Sequence, residues 1–172
     1  IDPAKGRLAM IKQVRADYNA PVIEKEVQAF WDSTDAYHRT KEYRSEGEKF
    51  YFVDGPPYTS GNVHLGTAMN KTIKDALVRY WRMNGYDVRD QPGFDMHGLP
   101  IENQVEKKLG LKTKEQIREL GIDRFIDACK DHALTLHGLM TEQLKDLGVW
   151  LDWEHPYQTL RLDFMESAWW TV

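Results

Sequence analysis

The sequence predicts an α/β fold organised around a β-α-β unit. A short run of aromatic and β-branched residues, Phe50-Tyr51-Phe52-Val53, reads as a buried strand. Beyond it Met69, Ile73, Leu77 and Tyr80 recur at helical spacing. After the turn signal Asn84-Gly85, the segment Tyr86-Asp87-Val88-Arg89-Asp90 reads as a second strand. Strand, helix and strand in that order join parallel neighbours, and a right-handed crossover is expected.

The remaining elements follow along the chain. Residues 1 to 18 form a mixed leader without a clear role. Pro21 then sits at a first helical position, and Val22, Ile23, Val27, Phe30 and Trp31 make one apolar stripe of a helix that stops near Ser33. From Asp35 to Lys49 the chain is a polar, charged connector. Pro100 opens a helix with Ile101, Val105 and Leu109 on one face and Gly110 as its stop, and Glu102 in its first turn suits the helix dipole. Thr113 and Gln116 make a capping box for a short helix ending at Gly121. Asp123 caps a longer one, with Phe125, Ile126, Cys129, Ala133, Leu136 and Met140 facing the core. The aromatic stretch Leu147 to Trp153 packs at the entrance to a last helix, Phe164 to Val172, which carries no capping or stop signal. This gives two regions: a leader and helix over residues 1 to 49, and an α/β region over residues 50 to 172.

Composition narrows the class. A chain of 172 residues can bury one core, and 41% hydrophobic with 29% charged residues is ordinary for a soluble globular protein. No apolar run approaches the roughly 20 residues needed to span a membrane, and the first residues lack the basic and apolar regions of a signal peptide. A cytoplasmic location is the expectation. The lone Cys129 excludes an internal disulfide and a Cys-x-x-Cys knuckle, reads as a core residue, and leaves no structural zinc expected. A formal net charge of −4 argues against broad nucleic-acid binding as the main task. Contact with RNA is then expected from a local patch or from elsewhere in a longer protein. Without an initiator Met and with an open-ended final helix, the chain reads as a piece of something larger.

The richest stretch is Gly55-Pro56-Pro57-Tyr58-Thr59-Ser60-Gly61-Asn62-Val63-His64-Leu65-Gly66-Thr67, which joins the first strand to the helix after it. His64 and Gly66 fall near the helix N-terminus, where free N–H groups favour phosphate. There the glycine lets a ring or ribose approach the backbone, and the imidazole adds a donor that follows charge on a reacting phosphate. Pro56 and Pro57 offer no N–H, and Gly55 is held out of helical geometry by Pro56, so carbonyls here stay free for a ligand ammonium. Asn70 and Lys71 lie on the first turns of the helix, and Lys71 reads equally as a nucleotide contact or as a solvated face. His97 either orients its loop or contacts a nucleotide, while His38, His132, His137 and His155 show no ligand spacing.

The segment His64-Leu65-Gly66-Thr67 resembles the HIGH signature of class I aminoacyl-tRNA synthetases. A second segment, Gly93-Phe94-Asp95-Met96-His97-Gly98-Leu99-Pro100-Ile101-Glu102, is similar to the second signature of the isoleucyl members in their archaeal or eukaryotic-like form. The resemblance covers residues 19 to 172. It implies the first half of a Rossmann-like (HUP-type) catalytic domain, truncated before an editing insertion. It also implies a monomeric parent enzyme that activates isoleucine with ATP and its Mg²⁺ and passes it to tRNA(Ile). By the same resemblance the backbone at Gly55 and Pro56 meets the substrate's amino group and Asp95 supplies the opposing carboxylate. His64, Gly66, Thr67 and Asn70 face ATP, with His64 and Thr67 catalytic. Thr67 stands where the signature usually has a second histidine; its hydroxyl is shorter and never ionises, so a donor role must be met at closer range or through water. The family's lysine-rich KMSKS-like loop has no counterpart in the sequence. Other expectations are a leucyl or valyl enzyme, a HIGH-type nucleotidyltransferase acting on a small metabolite, and a non-catalytic module derived from a synthetase.

Overall fold

The structure is a computed structural model that describes residues 17–172, so nearly all of the leader lies outside the described residues. Backbone contacts divide the chain into a unit ending at Tyr37 and a unit from His38 to Val172. In the first, helix α1 (Ala20–Thr34) has Pro21 in its opening turn as expected. It stops where Asp35 adopts a left-handed conformation, φ 48°, and returns its N–H to the carbonyls of Asp32 and Trp31. No residue of this helix is buried. Helix α2 (Ala36–Tyr43) occupies much of the stretch read as connector. Its polar composition hid it: no apolar stripe marks it, and Lys41, already within the second unit, pairs with Asp90 at 2.8 Å.

In the second unit the β-α-β expectation holds. Strand β1 (Lys49–Tyr51) pairs in parallel with β2 (Asp87–Arg89), placing Phe50 opposite Val88, and helix α3 (Leu65–Met83) connects them. Phe50 and Phe52 turn inward, whereas Tyr51 and Val53 are 67% and 83% exposed, so the strand is half-buried with the two-residue period of a pleat. On α3 the sequence pattern selected the outward face: Met69, Ile73, Leu77 and Tyr80 are between 51% and 62% exposed. Val78, Lys71 and Arg82 point in instead. Two buried carboxylates explain the inversion, because Asp54 takes the Lys71 ammonium and Asp90 takes the Arg82 guanidinium at 2.6 Å.

The buried apolar residues fall in two clusters. One gathers Val78, Val88, Val149 and Leu151, with Phe50 stacked on Trp81 at 4.7 Å beside it. The other gathers Phe94, Met96, Ile101, Ala133 and Met140 between α4 (Leu99–Leu109) and α6 (Ile122–Asp146). Trp153 packs against both, so the aromatic stretch before it joins the clusters rather than leading into the last helix. Helix α5 (Lys114–Leu120) carries the Thr113–Gln116 capping box as predicted. Gly121, with φ 97°, ends α5 and caps α6 in one residue, which leaves Asp123 in the first turn rather than at the cap. A parallel pair not predicted, β3 (Gly93–Phe94) with β4 (Tyr157–Gln158), ties the second motif to the chain ahead of α7 (Leu162–Trp170). Two residues per strand leave no periodicity to read.

Candidate functional site

The β1-to-α3 junction is fixed at both ends. On one side Asp95 runs alongside it: the Asp95 N–H donates to the Pro57 carbonyl at 2.9 Å and the Thr59 N–H donates to the Asp95 carbonyl at 3.0 Å. The Asp95 carboxylate is half-buried and accepts the Thr159 hydroxyl at 3.3 Å. On the other side Asp54, 1% exposed, accepts Lys74 at 2.7 Å, the Gly93 N–H at 3.0 Å and the Lys71 ammonium. Its backbone carbonyl accepts the Tyr157 hydroxyl. A Cβ on Gly93 would overlap the Tyr157 ring, so any larger residue here would displace that ring from its place against Asp54.

His64 is the N-cap of α3. Its Nδ1 accepts the Thr67 N–H at 3.2 Å, and its Nε2 lies 3.2 Å from the Thr67 hydroxyl. Because Nδ1 is an acceptor, the neutral ring carries its proton on Nε2 and donates to the Thr67 oxygen, leaving that hydroxyl's own proton for another acceptor. A Cβ at Gly66 would press on the ring, 3.1 Å from Cε1 and 3.2 Å from Nδ1. The His-x-Gly spacing therefore serves the folded-back imidazole as well as open access to the backbone.

Around this helix start is a pocket of about 230 Å³ lined by Gly55, Pro56, Pro57, His64, Gly66, Thr67, Asn70 and Lys71. The residues nominated from sequence thus converge, apart from His97 and from Asp95, whose backbone pairs with the Pro57-to-Thr59 stretch next to the pocket lining. His97 is exposed and lines a separate cavity of about 320 Å³ with Met96, Gly98, Ile101 and Cys129. Lys71 is not on a solvated face: it is 1% exposed and paired with Asp54. Burial pulls its ammonium below the usual lysine range, a pull that Asp54 opposes. Lys74 also donates to the Gly55 carbonyl at 3.3 Å.

Asp54, Lys74 and Tyr157 escaped the sequence reading. The signal for the first two was the pair Lys71 and Lys74, one helical turn apart and following a lone acid just ahead of Gly55. Nothing in the sequence marks Tyr157. Of the remaining histidines, His137 packs edge-on to Phe94 at 4.4 Å and burial lowers its pKa, while His155 pairs with Asp152 at 3.0 Å. Among the described residues no group of three or more His, Cys, Asp or Glu is placed to hold a metal ion. No helix among them is long and apolar enough to cross a membrane.

Tyr157 supplies a pH prediction. Burial, with the Asp54 and Asp95 carboxylates, pushes its phenol up to about 12, against about 10 in an unfolded chain. The folded state keeps a proton that the unfolded state loses, so this stabilisation is complete below about pH 10 and disappears as pH rises through about 12. Urea unfolding is expected to show the wild type's advantage over Tyr157→Phe shrinking between those two pH values. A constant difference would contradict the raised phenol of half-buried Tyr157.

The model of the family described as tRNA synthetases class I (I, L, M and V) matches residues 26–172. The chain is 54% identical over 163 residues to an isoleucine–tRNA ligase of Methanothrix thermoacetophila, covering 95% of this chain and 16% of that protein. It is 52% identical over 165 residues to that of Pyrococcus furiosus, covering 95% of this chain and 16% of the relative. The chain therefore spans about 16% of the length of these curated relatives. Among solved structures, it resembles an Agrobacterium radiobacter leucyl enzyme, agnB2 LeuRS, in a ternary complex with tRNA and LeuAMS. That likeness has a TM-score of 0.64 and 25% identity, and covers 86% of this chain and 16% of that one. With parallel β1 and β2 joined through α3, and with both signatures at one strand-to-helix junction, the chain belongs to the class I tRNA synthetases and has the Rossmann-like α/β fold expected of them.

Proposed function

We propose that this chain is part of an isoleucine–tRNA ligase, in which it forms the first half of the activating domain over residues 50 to 172. The observation that carries the reading is the pocket at the β1-to-α3 junction, where Gly55 and Pro56 meet the His64-to-Asn70 helix start. Isoleucine's carboxylate attacks the α-phosphorus of ATP, a carboxylate oxygen–phosphorus bond forms, and pyrophosphate leaves. No covalent bond to the protein is needed, so the protein's work is alignment and stabilisation of charge. ATP enters with its Mg²⁺ as substrate.

Asp95 and the carbonyls of Gly55 and Pro56 receive the substrate ammonium. Charge-assisted hydrogen bonds of about 1.5 to 3 kcal/mol select it over a neutral group. His64, Gly66, Thr67 and Asn70 face the nucleotide. Since the His64 Nε2–H is spent on Thr67, the Thr67 hydroxyl is free to donate to the α-phosphate, which gives the non-ionising residue at that position a donor role at short range. Transfer to tRNA(Ile), a monomeric parent, a cytoplasmic location and correction of errors by an insertion downstream of Val172 complete the proposal.

The test is ATP–pyrophosphate exchange by the full-length protein. Isoleucine is expected to drive it far better than leucine or valine, while residues 1 to 172 alone bind an isoleucyl-adenylate analogue weakly and do not turn over. Exchange driven preferentially by leucine or valine would reassign the substrate. Steady-state aminoacylation by residues 1 to 172 alone would refute the half-domain reading.

A further inference from the structure

Asp54, Lys71 and Lys74 form an ionic cluster against the pocket, and none of the three has a role in the reading above. The Asp54 side chain is fully buried, Lys71 is 1% exposed and Lys74 is 18% exposed. One carboxylate connects three parts of the site. Oδ2 accepts the Lys71 ammonium from the wall of the pocket and, at 3.0 Å, the N–H of Gly93 where the second motif begins. Oδ1 accepts Lys74 at 2.7 Å, and Lys74 reaches on to the Gly55 carbonyl at 3.3 Å. That carbonyl has two lone pairs, and Lys74 takes one, leaving the other for a ligand in the pocket that Gly55 lines. A second ammonium arriving there would be repelled by Lys74, and the Asp54 carboxylate beside it reduces that repulsion.

We propose that Asp54 is a positioning residue for amino-acid activation: it clamps Lys74 on the Gly55 carbonyl and offsets part of the charge of the two lysines, fixing where the substrate ammonium is received. The inference rests on the reading of this pocket as an aminoacyl-adenylate site. Asp54→Asn keeps the side chain's volume and removes its charge. Lys71 and Lys74 then repel each other, and Lys74, with a route to solvent, leaves Gly55.

The experiment is pyrophosphate exchange by the full-length protein with active sites titrated. Asp54→Asn is expected to raise the isoleucine KM on the order of tenfold, below the about 100-fold that a 1 Å misplacement of reacting groups costs. The ATP KM stays near the wild-type value. A merely structural role would lower the number of active sites and leave the isoleucine KM unchanged, which would overturn the proposal. Should Asp54→Asn fail to fold, Lys74→Met decides, because it keeps the buried Asp54–Lys71 pair and removes the ammonium that joins Asp54 to the Gly55 carbonyl. A selective rise in isoleucine KM supports the clamp, and unchanged kinetics overturn it. Absence of isoleucine-dependent exchange in the unsubstituted protein removes the reading of the pocket, and this inference with it. Wild-type exchange unaffected by either variant removes the inference alone.

Discussion

Replacement of His64 by alanine in the full-length protein is expected to slow adenylate formation by up to about 10²- to 10³-fold, because the Thr67 hydroxyl, the donor aimed at transition-state charge in the proposed function, loses the contact that orients it. Isoleucine binding in the ground state is expected to change little. The residue has two tasks in this structure, since Nδ1 caps α3 and Nε2 orients Thr67. Loss of a cap costs about 1 kcal/mol of stability, which lowers the melting temperature without reaching the rate per active site. His64→Ser separates the two: a serine hydroxyl caps a helix well but is too short to orient Thr67 from the same backbone position. Thermal stability should recover in His64→Ser while the single-turnover rate stays low. Recovery of both would reduce His64 to a capping residue.

The second large effect is expected at Asp95. Asp95→Asn keeps the oxygen that accepts the Thr159 hydroxyl and leaves the backbone bonds to Pro57 and Thr59 in place, so the junction should fold unchanged. What disappears is the negative charge that the proposed function sets against the substrate ammonium. A charge-assisted bond of about 1.5 to 3 kcal/mol corresponds to about 10- to 150-fold in kcat/KM for isoleucine. The ATP KM should hold. An unchanged isoleucine KM together with an unchanged activation rate would rule out the contact, and the ammonium would have to be received by the Gly55 and Pro56 carbonyls without it.

Sequence pattern marked most of the residues that line this pocket because the features that single them out belong to the backbone. Gly55, Pro56 and Gly66 are readable from missing N–H groups and missing Cβ atoms, and a capping box such as Thr113–Gln116 is a local rule that packing does not overturn. Where tertiary charge decides, pattern failed. The apolar repeat that marks α3 in the sequence, Met69 and Ile73 among it, does not show which face turns inward, because Asp54 and Asp90 draw Lys71 and Arg82 inward. Those partners lie 17 and 8 residues apart in the chain, and no helical period connects them. The parallel pairing of Gly93 with Tyr157 was equally hidden, since a two-residue strand is set by the space that the glycine leaves for the tyrosine ring.

In the proposed function the β1-to-α3 junction receives an aminoacyl-adenylate with its ammonium between Asp95 and the carbonyls that follow Asp54. The most direct measurement is a crystal structure of the full-length protein with a non-hydrolysable isoleucyl-adenylate analogue. The predicted result has the ammonium within hydrogen-bond distance of Asp95 and of the Gly55 or Pro56 carbonyl, with the phosphate mimic at the Thr67 hydroxyl. An analogue seated in the cavity lined by His97 and Cys129, with the junction empty, would contradict it.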